Sequence, residues 1–255
     1  MTAEILGLNI DLVRAAALGH DLGHVPFGHQ GEAWMAKAMG RPNFCHEIMG
    51  VIVTQKIERK GVGLNLKWHT YEAMMCHSGN TAREGMSQEA WLLRWTDKFA
   101  YIFHDINDII GRMRYPASQE LLTLASQFGS NQRERTATAI AGLVVESAEH
   151  GRVSFEHSEL GQKFKQLRTF MYEIYPGVTQ QDVENNMGPI LDFLTRNKFG
   201  DPFLILALMT DKDVVSMVSQ RMIDLQGFNL TAISEIVPHL KDIGPIDLCD
   251  PDLDW

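Results

Sequence analysis

Residues 18–32 read LGHDLGHVPFGHQGE. In fifteen residues this stretch carries three histidines, an aspartate, a glutamate and four glycines. The segment before it, Leu12 to Leu18 (LVRAAAL), is rich in Ala and Leu and predicts a buried helix running to about Asp21. Asn9 or Asp11 fits its N-cap. Gly23 fits a helix end, and Pro26 the first turn of the next helix, Phe27 to Met39. The expectation is a helix–turn–helix corner that aims five ionisable side chains into one volume. His20 and His24 would share a helix face at i, i+4, and His29 and Glu32 another at i, i+3.

Adjacent His20 and Asp21 offer an imidazole nitrogen and a carboxylate oxygen, a donor pair suited to Mn, Mg, Fe, Ni, Co or Zn. Both are in ligating form near pH 7. Ionisable groups among small apolar residues are costly to bury without a task. His29 and Glu32 form an expected acid/base pair, because a carboxylate one helical turn away can orient an imidazole and raise its pKa. His24 is expected to face phosphates or to support His20.

The second informative element runs from Ser87 to Gly111. Ser87 with acidic and amide residues in the first turn makes a sound N-terminus. Leu92, Trp95, Phe99, Ile102, Ile106 and Ile109 recur at three and four, which defines a core face. The other side carries Asp97, Tyr101, His104, Asp105 and Asp108, with Lys98 beside them. A solvated face is richer in Lys, Arg and Glu, so this composition points to a site-lining face. A carboxylate on a packed helix is a rigid ligand, so Asp97 is the best distant partner for His20 and Asp21.

The rest of the chain predicts an all-α protein. Helices are expected near 43–58, with Phe44, Ile48, Val51, Ile52 and Ile57 buried, and near 68–77, 118–128, 131–149, 158–174, 180–197, 203–224 and 230–241. The acidic C-terminal stretch 247–255 is expected to fray. Among 255 residues, 45% are hydrophobic and 22% charged, enough for a core. A formal net charge of −9 argues against general nucleic-acid binding. Three cysteines without a paired spacing fit a reducing cytoplasm. No apolar run reaches the ~18 residues of a membrane span, and no secretory signal is expected.

The string HDLGHVPFGHQGE resembles the HD-domain metal phosphohydrolases, and within them the deoxynucleoside triphosphate triphosphohydrolase (dGTPase-like) branch, whose sequences carry HDxGHxPFGHxGE. A second match lies in TDKFAYIFHDIND, which resembles the family string DxxAYxxHDxxD at Asp97, Ala100, Tyr101, His104, Asp105 and Asp108. The segments GLNLKWHTYEAMMCHSG, LRTFMYEIYP and ALMTDKD also look like family segments.

The resemblance implies an HD-domain helical bundle with additional C-terminal helices. It divides the chain into an N-terminally incomplete catalytic core, 1–115, and a helical C-terminal region, 116–255, packing on it. It implies His20, Asp21 and Asp97 as ligands of a divalent metal, and His29, Glu32 and His24 as active-site residues. His46, in NFCHEIMG, matches a family histidine near the polyphosphate; a structural role on an apolar helix fits it equally. Lys98 would contact phosphate as a point charge, Tyr101 would stack under the sugar, and Asp105 would accept a hydrogen bond from its 3′-hydroxyl. The implied reaction is hydrolysis of a dNTP to deoxynucleoside and tripolyphosphate by a cytoplasmic homo-oligomer with no membrane partner. The alternatives are an HD phosphohydrolase acting on another nucleotide or phosphoester, and a catalytically impaired nucleotide-binding paralogue. Family members carry a further metal histidine upstream, in a string like RxxHxxEV. No histidine precedes His20 here, so a reduced metal affinity is expected.

Overall fold

A computed structural model describes residues 1–79, 81–175, 182–241, 243, 245–251 and 253. Regular structure among them is helical throughout, as expected. In chain order the helices are α1 (Thr2–Ile5), α2 (Ile10–Gly19), α3 (Gly28–Met39), α4 (His46–Ile52), α5 (Trp68–Met75), α6 (Gln88–Asp105), α7 (Gln119–Ser126), α8 (Gln132–His150), α9 (Glu159–Ile174), α10 (Val183–Asn197), α11 (Pro202–Ala207), α12 (Asp211–Ser219), α13 (Leu225–Phe228) and α14 (Ile233–Leu240). Short π-helical stretches, Val53–Ile57 and Ile106–Arg112, continue α4 and α6.

Local chemistry sets most of the starts. Side-chain oxygens of Asn9, Ser87, Ser118, Asn131, Ser158 and Asp182 accept backbone N–H groups that have no intrahelical partner. Thr210 and Asp213 close a reciprocal capping box. That box explains a departure from expectation: the single helix expected over 203–224 ends at Ala207, and a new one starts at Asp211. The expected start at position 180 and the last residues of the acidic tail lie outside the described residues.

The chain forms two compact units. One comprises residues 1–17 and 76–179, the other residues 18–75 and 180–255. Each has its own core. In the first, α6 packs against α8, and α7 against α9. The aromatic rings of Phe99, Phe103, Phe128, Phe155 and Phe164 meet there, with Phe99 edge-on to Phe155 and Phe164 at centroid distances of 5.0 and 4.9 Å. The whole predicted apolar face of α6, Leu92 through Ile109, is buried in this core. In the second, Val25, Met35, Phe44, Met49 and Ile52 share a core with Met187, Ile190, Leu194, Ile205 and Val214. Polar ties reinforce it: the Phe27 N–H donates to Asp211 Oδ1 at 2.8 Å, and the Trp34 indole N–H to Glu184 Oε2 at 2.7 Å.

A buried carboxylate organises the connection between α8 and α9. Glu146 Oε1 accepts from Ser154 Oγ at 2.6 Å and from the backbone N–H groups of Glu156 and His157 at 2.7 and 3.0 Å. Its Oε2 accepts from Ser158 N–H at 2.9 Å and from Ser158 Oγ. Burial alone would raise the carboxyl; hydrogen bonds from Ser154 and Ser158 outweigh it and bring Glu146 to about 2. A folded pKa below the ordinary 4.5 gives stability that is present above about pH 4.5 and is lost as pH falls toward 2. Glu146→Gln is therefore expected to cost about 3 kcal/mol at pH 7 and to flatten the acid limb of stability. Urea unfolding at pH 7 and at pH 3 measures this; equal stabilities of the two proteins at pH 7 would contradict it.

Candidate metal and catalytic site

The turn after α2 carries the chemistry. The helix ends at Gly19, earlier than the expected Asp21, so His20 and His24 do not share a helix face. Residues 20–24 instead form tight turns, with Leu22 N–H donating to the Gly19 carbonyl and His24 N–H to that of Asp21. Close approach to α4 imposes this. A Cβ on Gly23 would stand 2.0 Å from the His46 carbonyl oxygen and 2.2 Å from the Gly50 nitrogen. Only glycine allows the turn to lie against that backbone. Pro26 also falls outside a helix: α3 begins at Gly28, after Phe27 in the left-handed region at φ 70°. A Cβ on Gly31 would meet the Pro26 carbonyl oxygen at 1.8 Å, so the first turn of α3 is pressed onto the corner. The segment expected to be a buried helix is half-buried, with Leu18 83% exposed.

This geometry brings His20, Asp21, His24, His29, Glu32 and His46 together in the second unit. His20 Nε2 lies 3.0 Å from Asp21 Oδ2. His24 Nδ1 lies 2.9 Å from Glu32 Oε1, and its Nε2 3.5 Å from Asp21 Oδ1. His46 Nδ1 lies 3.0 Å from the same Glu32 oxygen. The His24 and His46 rings stack at 3.8 Å, and His29 stands edge-on to both at 5.4 Å. Glu32 and His46 are buried, while His29 is exposed.

Glu32 thus serves two imidazoles that reach it from the turn and from α4. The expected pairing with His29 is looser, and His29 acts on the carboxylate through charge. Spacing along α3 suggested His29 because it lies one turn away; the buried side of Glu32 instead faces His24 and His46. Glu47 was missed as well: its Oε2 lies 3.5 Å from His46 Nδ1.

The electrostatics follow from this sharing. Burial would lower His24, but hydrogen bonds with Asp21 and Glu32 outweigh it and lift the imidazole to about 9. Burial would raise Glu32, but hydrogen bonds from His24 and His46 bring it to about 2. Near neutral pH the pair is an imidazolium against a carboxylate, with His24 donating from Nδ1. The donor set fits a borderline divalent cation. Ligand atoms of Asp21, His24 and His46 lie within 4.8 Å of one another, as do those of His29, Glu32 and His46.

Among curated proteins and family models, residues 1–102 match the HD domain. These first 102 residues carry an HD domain. Proteins named deoxyguanosinetriphosphate triphosphohydrolase-like protein are similar to it. The one from Caldanaerobacter subterraneus subsp. tengcongensis is 36% identical over 179 residues, 69% of this chain and 51% of that protein. Those from Clostridium tetani and Clostridium perfringens are 33% and 34% identical over 182 and 195 residues, 68% and 73% of this chain and 52% and 56% of the relatives. The chain spans about half the length of the curated relatives it matches.

The other predicted site residues of this HD-domain chain lie on α6, in the first unit. Asp97 and Tyr101 are on its polar side, and Lys98 is buried. The Tyr101 and Tyr172 hydroxyls share a hydrogen bond of 2.6 Å. Burial and that bond push Tyr101 up. The Tyr175 hydroxyl donates to Asp105 Oδ2 at 2.7 Å, and burial holds Asp105 above the usual carboxylate range. His104 and Arg112 both pair with Asp108, at 3.2 and 3.0 Å. Arg94 was missed. It donates to the carbonyls of Cys76, Ser78 and Gly79 and fixes the loop beyond α5. Tyr172 and Tyr175, in the last turn of α9 and just after it, were missed as well: their run LRTFMYEIYP is amphipathic and carries no local sign of these hydroxyl contacts. Among the described residues no helix is long and apolar enough to cross a membrane, and Cys45, Cys76 and Cys249 form no disulfide.

Proposed function

We propose that this chain is a metal-dependent phosphohydrolase that converts a deoxynucleoside triphosphate to deoxynucleoside and tripolyphosphate. The observation that carries the reading is the Glu32 carboxylate shared by His24 and His46 beside the His20–Asp21 pair. The names of the relatives supply the substrate class.

The proposed metal ligands are His20, Asp21 and Asp97, and the part of Asp97 rests on the motif match alone. Mn, Mg, Fe, Ni, Co or Zn suits such donors and would supply a Lewis acid that offsets charge on phosphate oxygens. The chain's own groups do the rest. Glu32 orients the rings of His24 and His46 by accepting from the Nδ1–H of each. His24, held as an imidazolium, stabilises negative charge on the phosphate. His29, exposed beside both rings, exchanges the proton between water and the departing oxygen. Water adds to the α-phosphorus, the bond to the 5′-oxygen breaks, and that oxygen leaves protonated.

Lys98, Tyr101 and Asp105 are proposed to hold phosphate, sugar and 3′-hydroxyl. Asp105 would do so within its existing pair with Tyr175. Residues 1–115 are proposed as the catalytic core and 116–255 as the helical C-terminal region. A cytoplasmic homo-oligomer is the setting this reading assigns.

Incubation with Mn²⁺ and each of the four dNTPs tests the reading. Equal amounts of deoxynucleoside and tripolyphosphate are expected. Release of orthophosphate or pyrophosphate would instead support an HD phosphohydrolase of another phosphoester. A nucleotide-dependent rise in melting temperature without turnover would support a binding paralogue. Excess EDTA is expected to remove at least about 99% of the activity and added Mn²⁺ to restore it, since the cation is the proposed Lewis acid. Turnover that survives the chelator would contradict metal dependence.

A further inference from the structure

Outside the HD corner, a cluster among the described residues of the first unit has the makings of a cation site. His150 is the last residue of α8, followed by Gly151 in the left-handed region at φ 64°. His157 directly precedes Ser158, the N-cap of α9. The two imidazoles lie with ring centroids 4.7 Å apart, and both residues are exposed. Beneath them sits the buried Glu146, and ligand atoms of Glu146, His150 and His157 lie within 4.8 Å of one another.

We propose that His150 and His157 bind a divalent transition cation of the zinc class over the Glu146 carboxylate, joining the end of α8 to the start of α9. Three observations carry this. The imidazoles are spaced as a cation would hold them, although nothing in the hydrogen bonding pulls them together: His157 is fixed through its backbone N–H, which donates to Glu146 Oε1 at 3.0 Å. Five hydrogen bonds hold Glu146, so the loop that carries His157 is ordered before any ion arrives, and little ordering entropy remains to oppose binding. The carboxylate keeps a full negative charge near neutral pH because those bonds hold it as an anion. Two imidazole nitrogens with a carboxylate oxygen favour Zn²⁺, Ni²⁺ or Cu²⁺ over Mg²⁺ or Ca²⁺, which prefer an all-oxygen shell.

The test is Zn²⁺ titration of the full chain by calorimetry, in parallel with the doubly substituted His150→Ala, His157→Ala protein. The HD corner takes its own cation in both, so the comparison counts the difference. The double variant is expected to bind one equivalent less, and each single variant to weaken that equivalent at least tenfold, as loss of a ligand does. Mg²⁺ titration should distinguish the parent from the variant not at all. Circular dichroism checks folding, which both exposed substitutions should preserve. A second readout is NMR: the His150 and His157 ring signals should shift together on Zn²⁺ addition. Equal stoichiometry and affinity in parent and double variant, or ring signals that stay put at saturation, would overturn the proposal.

Discussion

Glu32→Gln is expected to lower kcat by about 10²–10⁴-fold while leaving KM within a few fold. The substitution is isosteric, so the 7% exposed side chain keeps its place and the fold should survive. What changes is the hydrogen-bond inventory. One Glu32 oxygen now accepts from both His24 Nδ1 and His46 Nδ1, at 2.9 and 3.0 Å. A glutamine has one accepting oxygen and an NH₂ group that can only donate. Whichever way it turns, it carries no charge to hold His24 as an imidazolium. Loss of that charge removes one of the two carboxylates that lift His24, leaving the hydrogen bond with Asp21 alone to do so. Steady-state kinetics with a dNTP and Mn²⁺ measure the effect. A kcat within threefold of the parent would show that Glu32 is not a positioning carboxylate.

Gly23→Ala is expected to cost about 4 kcal/mol or more, at the high end of single-residue effects. The new methyl would need the space of the His46 carbonyl oxygen at 2.0 Å and the Gly50 nitrogen at 2.2 Å. Both are backbone atoms of a buried helix, so no side chain can swing aside. The turn must back away from α4, and His24 must leave both Glu32 and the His46 ring. Stability and turnover therefore fall together. Gly111→Ala is the control, since a Cβ there meets nothing within 4 Å and should change stability by less than about 0.5 kcal/mol. Urea unfolding compares the two. Similar losses for both variants would mean that the close approach at Gly23 is not a packing constraint.

Much of this molecule was legible in sequence because it is set by local chemistry. Ser87 begins α6 as a serine before an apolar-periodic run should, and the stripe from Leu92 to Ile109 is buried as its spacing of three and four requires. The Thr210–Asp213 box was also written in the sequence, and reading across it produced one helix where there are two. What periodicity cannot show is which distant helices share a core. Met187, Ile190 and Leu194 on α10 pack with Met35 and Ile52, so the second unit is assembled from both ends of the chain.

The candidate site divides in the same way. His20, Asp21, His24, His29 and Glu32 are neighbours in sequence, and Gly23 and Pro26 gave away a turn. The partner of Glu32 was not legible: His46 arrives on another helix, and only the close approach at Gly23 lets it do so. The tyrosines on α9 were hidden for the opposite reason. Tyr172 and Tyr175 fit an amphipathic packing stripe, and nothing local distinguishes a tyrosine that packs from one whose hydroxyl reaches Tyr101 or Asp105.

The most direct measurement is hydrolysis of a dNTP with Mn²⁺ in ¹⁸O-labelled water, followed by mass spectrometry of both products. Attack at the α-phosphorus places one labelled oxygen in tripolyphosphate and none in the deoxynucleoside. Label found in the deoxynucleoside, or only in released orthophosphate, would contradict the account.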